Sequence, residues 1–196
     1  MRRLLHRSPS YLPNFSTSKF KWQKGDTIHN FQVLSSSHHP DFDCHLHHLE
    51  HTTTKSQFYH LERNDPNNCF APIVQTLTYN DKGAPHILEH LACCGSDKFP
   101  VRDPFFNMLK RSLSTYMNAW TGEDFTCYPF SSANAKDYGN LLRVYLDMVF
   151  RPKLNYLDFR QEGWRYELEG QLLKYKGVVL NEMLGAYQSP DRKLAF

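Results

Sequence analysis

No stretch of the chain approaches the ~20 consecutive apolar residues of a bilayer-spanning helix, which leaves no candidate membrane span. Cysteine is scarce. Cys44, Cys69, Cys93, Cys94 and Cys127 are five, an odd number without framework spacing, which excludes a disulfide scaffold and fits free thiols in a reducing compartment. Acid is missing altogether from residues 1–25, which carry Arg2, Arg3, Arg7, Lys19, Lys21 and Lys24. The remainder holds the other 17 of the 23 basic residues against all 20 acidic ones, a net of −3. That balance argues against nucleic acid as a partner. Internal repeats and low-complexity linkers are absent as well.

What is present begins with the leader. Residues 1–24 are Arg-rich, Ser-rich and acid-free, and they lack the apolar run of a secretory signal. That is the composition of an organellar transit peptide. Pro9 and Pro13 limit any amphipathic helix to the first two turns, and a disordered basic tail is the bland alternative. At 196 residues, 40% of them hydrophobic and 14% aromatic, the chain fits one domain, or a large part of one, with a real core.

The chemistry gathers in Pro85–Gly95, which contains H-x-x-E-H as His86, Glu89 and His90. On a helix, positions i, i+3 and i+4 share one face, so the three side chains converge. Two imidazoles are good zinc ligands, and a carboxylate beside them can take a proton from the attacking water. The order reverses the commoner H-E-x-x-H and is the inverzincin signature. Gly83 and Pro85 suit a helix start, and Leu88 and Leu91 supply its packing face.

A second copy of the pattern serves as an internal control. His47-His48-Leu49-Glu50-His51 is bounded by Thr52–Thr54 and followed by the strand-like Gln57–Leu61. In a strand, residues 47 and 51 face one side and 50 the other, so this trio cannot chelate together. It reads as a His-rich strand.

Strands are expected at 30–34, 43–54, 57–62 and 69–79, with an edge or bulge at Pro72. Asp103-Pro104 reads as a capped helix start, and 115–120 with 124–130 as a hairpin around Gly122. Tyr138, Leu141, Leu142, Tyr145, Leu146 and Val149 mark a helix from Asn134 that Pro152 stops, and helical character is read over 157–168 and 177–187. Strands first and helices later predict an α+β fold, a mostly antiparallel sheet covered by helices.

A three-ligand zinc site needs one more residue. Glu182 lies 92 residues after His90 on a separate helical stretch, flanked by Val178, Val179, Leu180 and Met183, which would bury it. An exposed glutamate on an amphipathic helix is the ordinary alternative. Cys93 and Cys94, at i+3 and i+4 from His90, offer a weaker structural zinc site, and buried free thiols are the commoner state. Arg165-Tyr166-Glu167 and Glu169 read as a solvated helix end.

The blocks Pro85–His90, Cys94-Gly95-Ser96, Arg102–Phe106, Arg111–Thr115, Met117-Asn118-Ala119, Tyr128-Pro129-Phe130, Gln161–Arg165 and Gly177–Met183 closely resemble the pitrilysin-type inverzincin metalloproteases, above all their presequence protease branch of mitochondria and plastids. The resemblance runs from about Lys24 to Arg192. It implies that His86, His90 and Glu182 bind one zinc ion per chain and that Glu89 is the general base. It implies too that Asn118, Ala119 and Trp120 form an edge strand on which a peptide adds.

The fold so implied is a LuxS/metallopeptidase-like two-layer α+β sandwich, incomplete here, with 25–196 as its catalytic-type domain. Family members are several times longer, so a complementary C-terminal half is an expected partner beside peptide substrates. The implied function is a zinc endopeptidase degrading short unstructured peptides such as cleaved presequences, in the mitochondrial matrix or alternatively a plastid. The rival is a non-catalytic homologue acting as a peptide-binding or structural half-module.

Overall fold

The computed structural model describes residues 22–191, so the leader up to residue 21 lies outside the described residues. The fold is α+β. Those residues up to Pro66 form one compact unit and those from Asn67 a second.

The first unit is an antiparallel sheet of β1 (Thr27–Ile28), β2 (Phe31–His39), β3 (Cys44–His51) and β4 (Gln57–Glu62), in that order. Both faces of β3 mix histidine with apolar residues, and Cys44, His47 and Leu49 are the buried ones. Leu49 stands opposite Val33 and both are buried, while a register shift between Val33 and Ser35 leaves Leu34 as a bulge. His47 sits on the buried side with its Nδ1 2.9 Å from Ser36 Oγ.

The second unit carries the expected 69–79 strand in two pieces, β5 (Asn68–Phe70) and β6 (Ile73–Gln75). Proline has no N–H for a ladder, and at Pro72 the chain leaves one sheet for another, a larger break than a bulge. After α1 (Ala84–Cys93) and α2 (Pro104–Arg111) come β7 (Ser114–Met117), β8 (Trp120–Thr121), β9 (Phe125–Cys127) and β10 (Phe130–Ser132). These make the hairpin around Gly122, but interrupted at 118–119 and 128–129. Its outer part joins the sheet β5-β10-β7 and its inner part the sheet β6-β9-β8. Asp103 stands at the N-cap of α2 at φ 52°, and its carboxylate makes no cap hydrogen bond; it turns to Arg102 at 3.4 Å.

Asn134 caps α3 (Ala135–Phe150) by accepting from the Lys136 and Asp137 amides. Leu141, Tyr145 and Met148, spaced i, i+4 and i+7, pack with Phe105, Met117, Tyr128 and Phe130 into the main core. At the far end of α3, Asp147 accepts from the Lys98 amide at 2.8 Å and ties down the loop that follows α1.

The chain after Asn155 departs from expectation. Helix α4 (Tyr156–Glu162) ends at Gly163, and residues through 168 do not continue it. Instead β11 (Arg165–Glu169) pairs with β12 (Leu172–Lys176), turning at Gly170 with φ 64°. The supposed solvated helix end is thus a strand. The reason is tertiary: alternating Tyr166 and Leu168 face Tyr175 and Leu173 across the hairpin, a pairing that an isolated 3.6-residue reading does not capture. Helix α5 (Val178–Ala186) closes the described chain.

Candidate metal centre

Helix α1 starts behind Gly83, which holds φ 67°, a left-handed conformation that glycine adopts without penalty. Ile87 and Leu91, one turn apart, pack on Val179 of α5. The packing pair is therefore 87 and 91; Leu88, expected to pack, is exposed. That contact lays the His86–His90 face of α1 against α5.

Three donors meet there. His86, His90 and Glu182 each offer a ligand atom, and these atoms all lie within 4.8 Å of one another. Glu182 Oε2 is 3.4 Å from His90 Nε2 and 3.8 Å from His86 Nε2. Four tetrahedral ligands at ~2.1 Å from zinc would be about 3.4 Å apart, so the spacing suits that ion, and two imidazoles with one carboxylate are a donor set it favours. Glu182 is not buried by its apolar flank: its side chain is 54% exposed, and Val179 is the only fully buried residue of α5. Glu89, between the two histidines on α1, is buried at 6% exposure.

The 47–51 copy behaves as its strand geometry dictates. His47 is buried, Glu50 turns away to Lys55 and Gln57, and His51 bonds Thr54. Among the described residues neither these histidines nor any cysteine joins a three-donor cluster. Burial, reinforced by Glu89, pushes the Cys93 thiol far up, and burial with Glu162 pushes Cys94 up to about 12. Both are free thiols, and Cys94 Sγ donates to the His90 carbonyl at 3.4 Å.

Of the residues expected to bind peptide, only Trp120 is in a strand. It opens β8, an edge of its sheet. Asn118 and Ala119 lie between β7 and β8, with the Asn118 amide donating to the Pro129 carbonyl.

Two side chains at the centre were not singled out from the sequence. Glu162 Oε2 lies 3.0 Å from His90 Nδ1, and Thr121 Oγ1 donates to Glu89 Oε2 at 2.6 Å. Glu162 stands in the block Gln161–Arg165 that carried the resemblance, next to a helix-ending Gly163, and that position was the available signal. Thr121 has no signal beyond its place between Trp120 and Gly122.

A profile of the insulinase family, peptidase family M16, matches residues 78–188, which include α1, Glu162 and Glu182. The chain belongs to that family. This M16 chain is 48% identical over 174 residues to the protein named "Presequence protease, mitochondrial" of Drosophila melanogaster, covering 86% of the chain. It is 50% identical over 180 residues to the protein of that name from Danio rerio, covering 89%. Against the one from Schizosaccharomyces pombe it is 49% identical over 166 residues, covering 82%. The M16 chain spans 17% to 18% of the length of these relatives.

Proposed function

We propose that this chain carries the zinc centre and general base of a metalloendopeptidase acting on short unstructured peptides, cleaved mitochondrial presequences among them. One observation carries the reading: two helices distant in sequence bring two imidazoles and a carboxylate to zinc-ligand spacing, with a second, buried carboxylate on the same helix. His86, His90 and Glu182 would hold the ion. Zinc, when bound, supplies a Lewis acid that polarises a carbonyl oxygen and acidifies water.

The chain does the rest. Glu89 takes the proton of the attacking water, and Thr121 occupies one of its oxygens, leaving the other for that transfer. The exposed edge of β8 at Trp120, with Asn118 and Ala119 leading into it, offers main-chain groups on which an extended peptide can add as a strand. Recognition by backbone accepts many sequences. The names of the relatives support mitochondrial action, and the acid-free leader supports import to the matrix with 1–24 as transit peptide and 25–196 as the zinc peptidase domain.

The test is metal content first. The chain should retain about one equivalent of zinc after dialysis. His86→Ala with His90→Ala should abolish retention, and His47→Ala with His51→Ala should not; the reverse pattern overturns the reading. Where hydrolysis of an unstructured peptide is measurable, Glu89→Gln should lower turnover by about 10²–10⁴-fold with zinc still bound.

A further inference from the structure

We propose that Glu162 is the positioning residue of the centre, fixing the His90 ring with Nε2 turned to the metal. The inference rests on the reading of His86, His90 and Glu182 as ligands and deepens it.

The His90 ring is held at both ends. Nδ1 lies 3.0 Å from Glu162 Oε2, and Nε2 faces Glu182 at 3.4 Å. An ionised carboxylate can only accept, so Nδ1 carries the hydrogen of this bond and the lone pair of a neutral ring falls on Nε2. Glu162 is itself constrained: it is 8% exposed, and its other oxygen accepts from Gln161 Nε2 at 3.0 Å. A metal-ligating histidine steadied by a carboxylate on its outer nitrogen keeps its tautomer and orientation before metal arrives.

The backbone explains why this glutamate is in reach. Glu162 is the last residue of α4, and the β11–β12 hairpin returns the chain to that point, where α5 begins. A Cβ on Gly177 would lie 1.7 Å from the Gly163 carbonyl oxygen, so the two strands of backbone touch there. The crossing fixes the end of α4, bearing Glu162, against the start of α5, whose middle residue is Glu182. That contact, with the packing of Val179 on Ile87 and Leu91, brings both carboxylates beside His90.

The experiment measures zinc affinity of the 196-residue chain by competition with a chromogenic chelator, for wild type, Glu162→Gln and Glu162→Ala. Glu162→Ala should weaken zinc binding by about 10–100-fold, and Glu162→Gln, which keeps an acceptor, should recover part of the loss. A clamp that merely joins α1 to α4 would lower the metal-free melting temperature and leave the affinity alone; that outcome overturns the proposal. Nitrogen-15 NMR of the metal-free wild type gives a second readout that needs no variant. At a pH where the ring is neutral, its His90 signal should report hydrogen on Nδ1, and a neutral ring with its hydrogen on Nε2 overturns the proposal. A wild type that takes up no zinc, or keeps it without His86 and His90, brings down the ligand reading and this inference together. Unchanged affinity in Glu162→Ala brings down this inference alone.

Discussion

Thr121 donates to Glu89 at 2.6 Å, so the edge strand β8 holds the carboxylate of the H-x-x-E-H helix directly. Trp120, its neighbour on the same two-residue strand, presents the edge to which a peptide would add. The proposed base and the proposed peptide-binding edge are thereby held by one short element. Displacement of β8 displaces both.

Thr121→Val keeps shape and β-branching while removing the donor. Glu89, buried at 6% exposure, then loses a hydrogen bond to its charge, which costs about 1–3 kcal/mol. Urea unfolding should show that loss of stability, and zinc retention should persist because Thr121 touches no ligand. Wild-type stability in the variant would mean that water replaces the hydroxyl.

Gly177→Ala tests the crossing that sets α5. Its φ of 175° is ordinary extended backbone, so the constraint is steric: the added methyl meets the Gly163 carbonyl, a backbone atom that cannot swing aside. Helix α5 must shift, and Glu182 with it. Overpacking of this kind costs about 1–3 kcal/mol, and zinc retention should fall even in the folded protein. Full zinc retention at unchanged stability would show that the helix start tolerates the displacement.

The parts legible in the sequence were those fixed by local geometry. Helical spacing put His86, Glu89 and His90 on one turn, and strand alternation separated Glu50 from His47 and His51. The partners Glu162 and Thr121 were illegible because each reaches α1 from an element placed only by tertiary packing, β8 by its sheet and α4 by the hairpin behind it. The same cause misplaced the end of α4, since cross-strand pairs such as Tyr166 with Tyr175 outweigh the helical pattern of 157–168. Glu182 does lie beside the two histidines, but the burial expected of it is reversed. Its apolar flank does not bury it; Val179 and Met183 pack against Ile87 and Leu91 of α1, and the carboxylate itself is 54% exposed.

Import is a separate matter from fold. Residues 1–30 fused to a fluorescent reporter should carry it to mitochondria, because the leader is basic and acid-free up to Asp26. A cytosolic reporter would remove the localisation proposal without touching the metal centre.

The histidine-rich sheet predicts a pH dependence of its own. His60 on β4 stands opposite His47 on β3, their rings stacked at 6.0 Å between centroids, with the Trp22 ring 5.2 Å from His47 and 5.6 Å from His60. Burial lowers the His60 pKa, the neighbouring His47 lowers it further, and Glu62 opposes both. The unfolded chain, with a histidine pKa of about 6.5, therefore takes up the proton first. The contribution of neutral His60 is fully present above that pH and is lost as the pH falls toward the lower folded-state value. Urea midpoints measured from pH 7.5 down to 5 should fall for the wild type. His60→Phe, which keeps a ring against Trp22 and removes the titration, should flatten the fall. Equal slopes in the two proteins would assign the acid sensitivity to other groups.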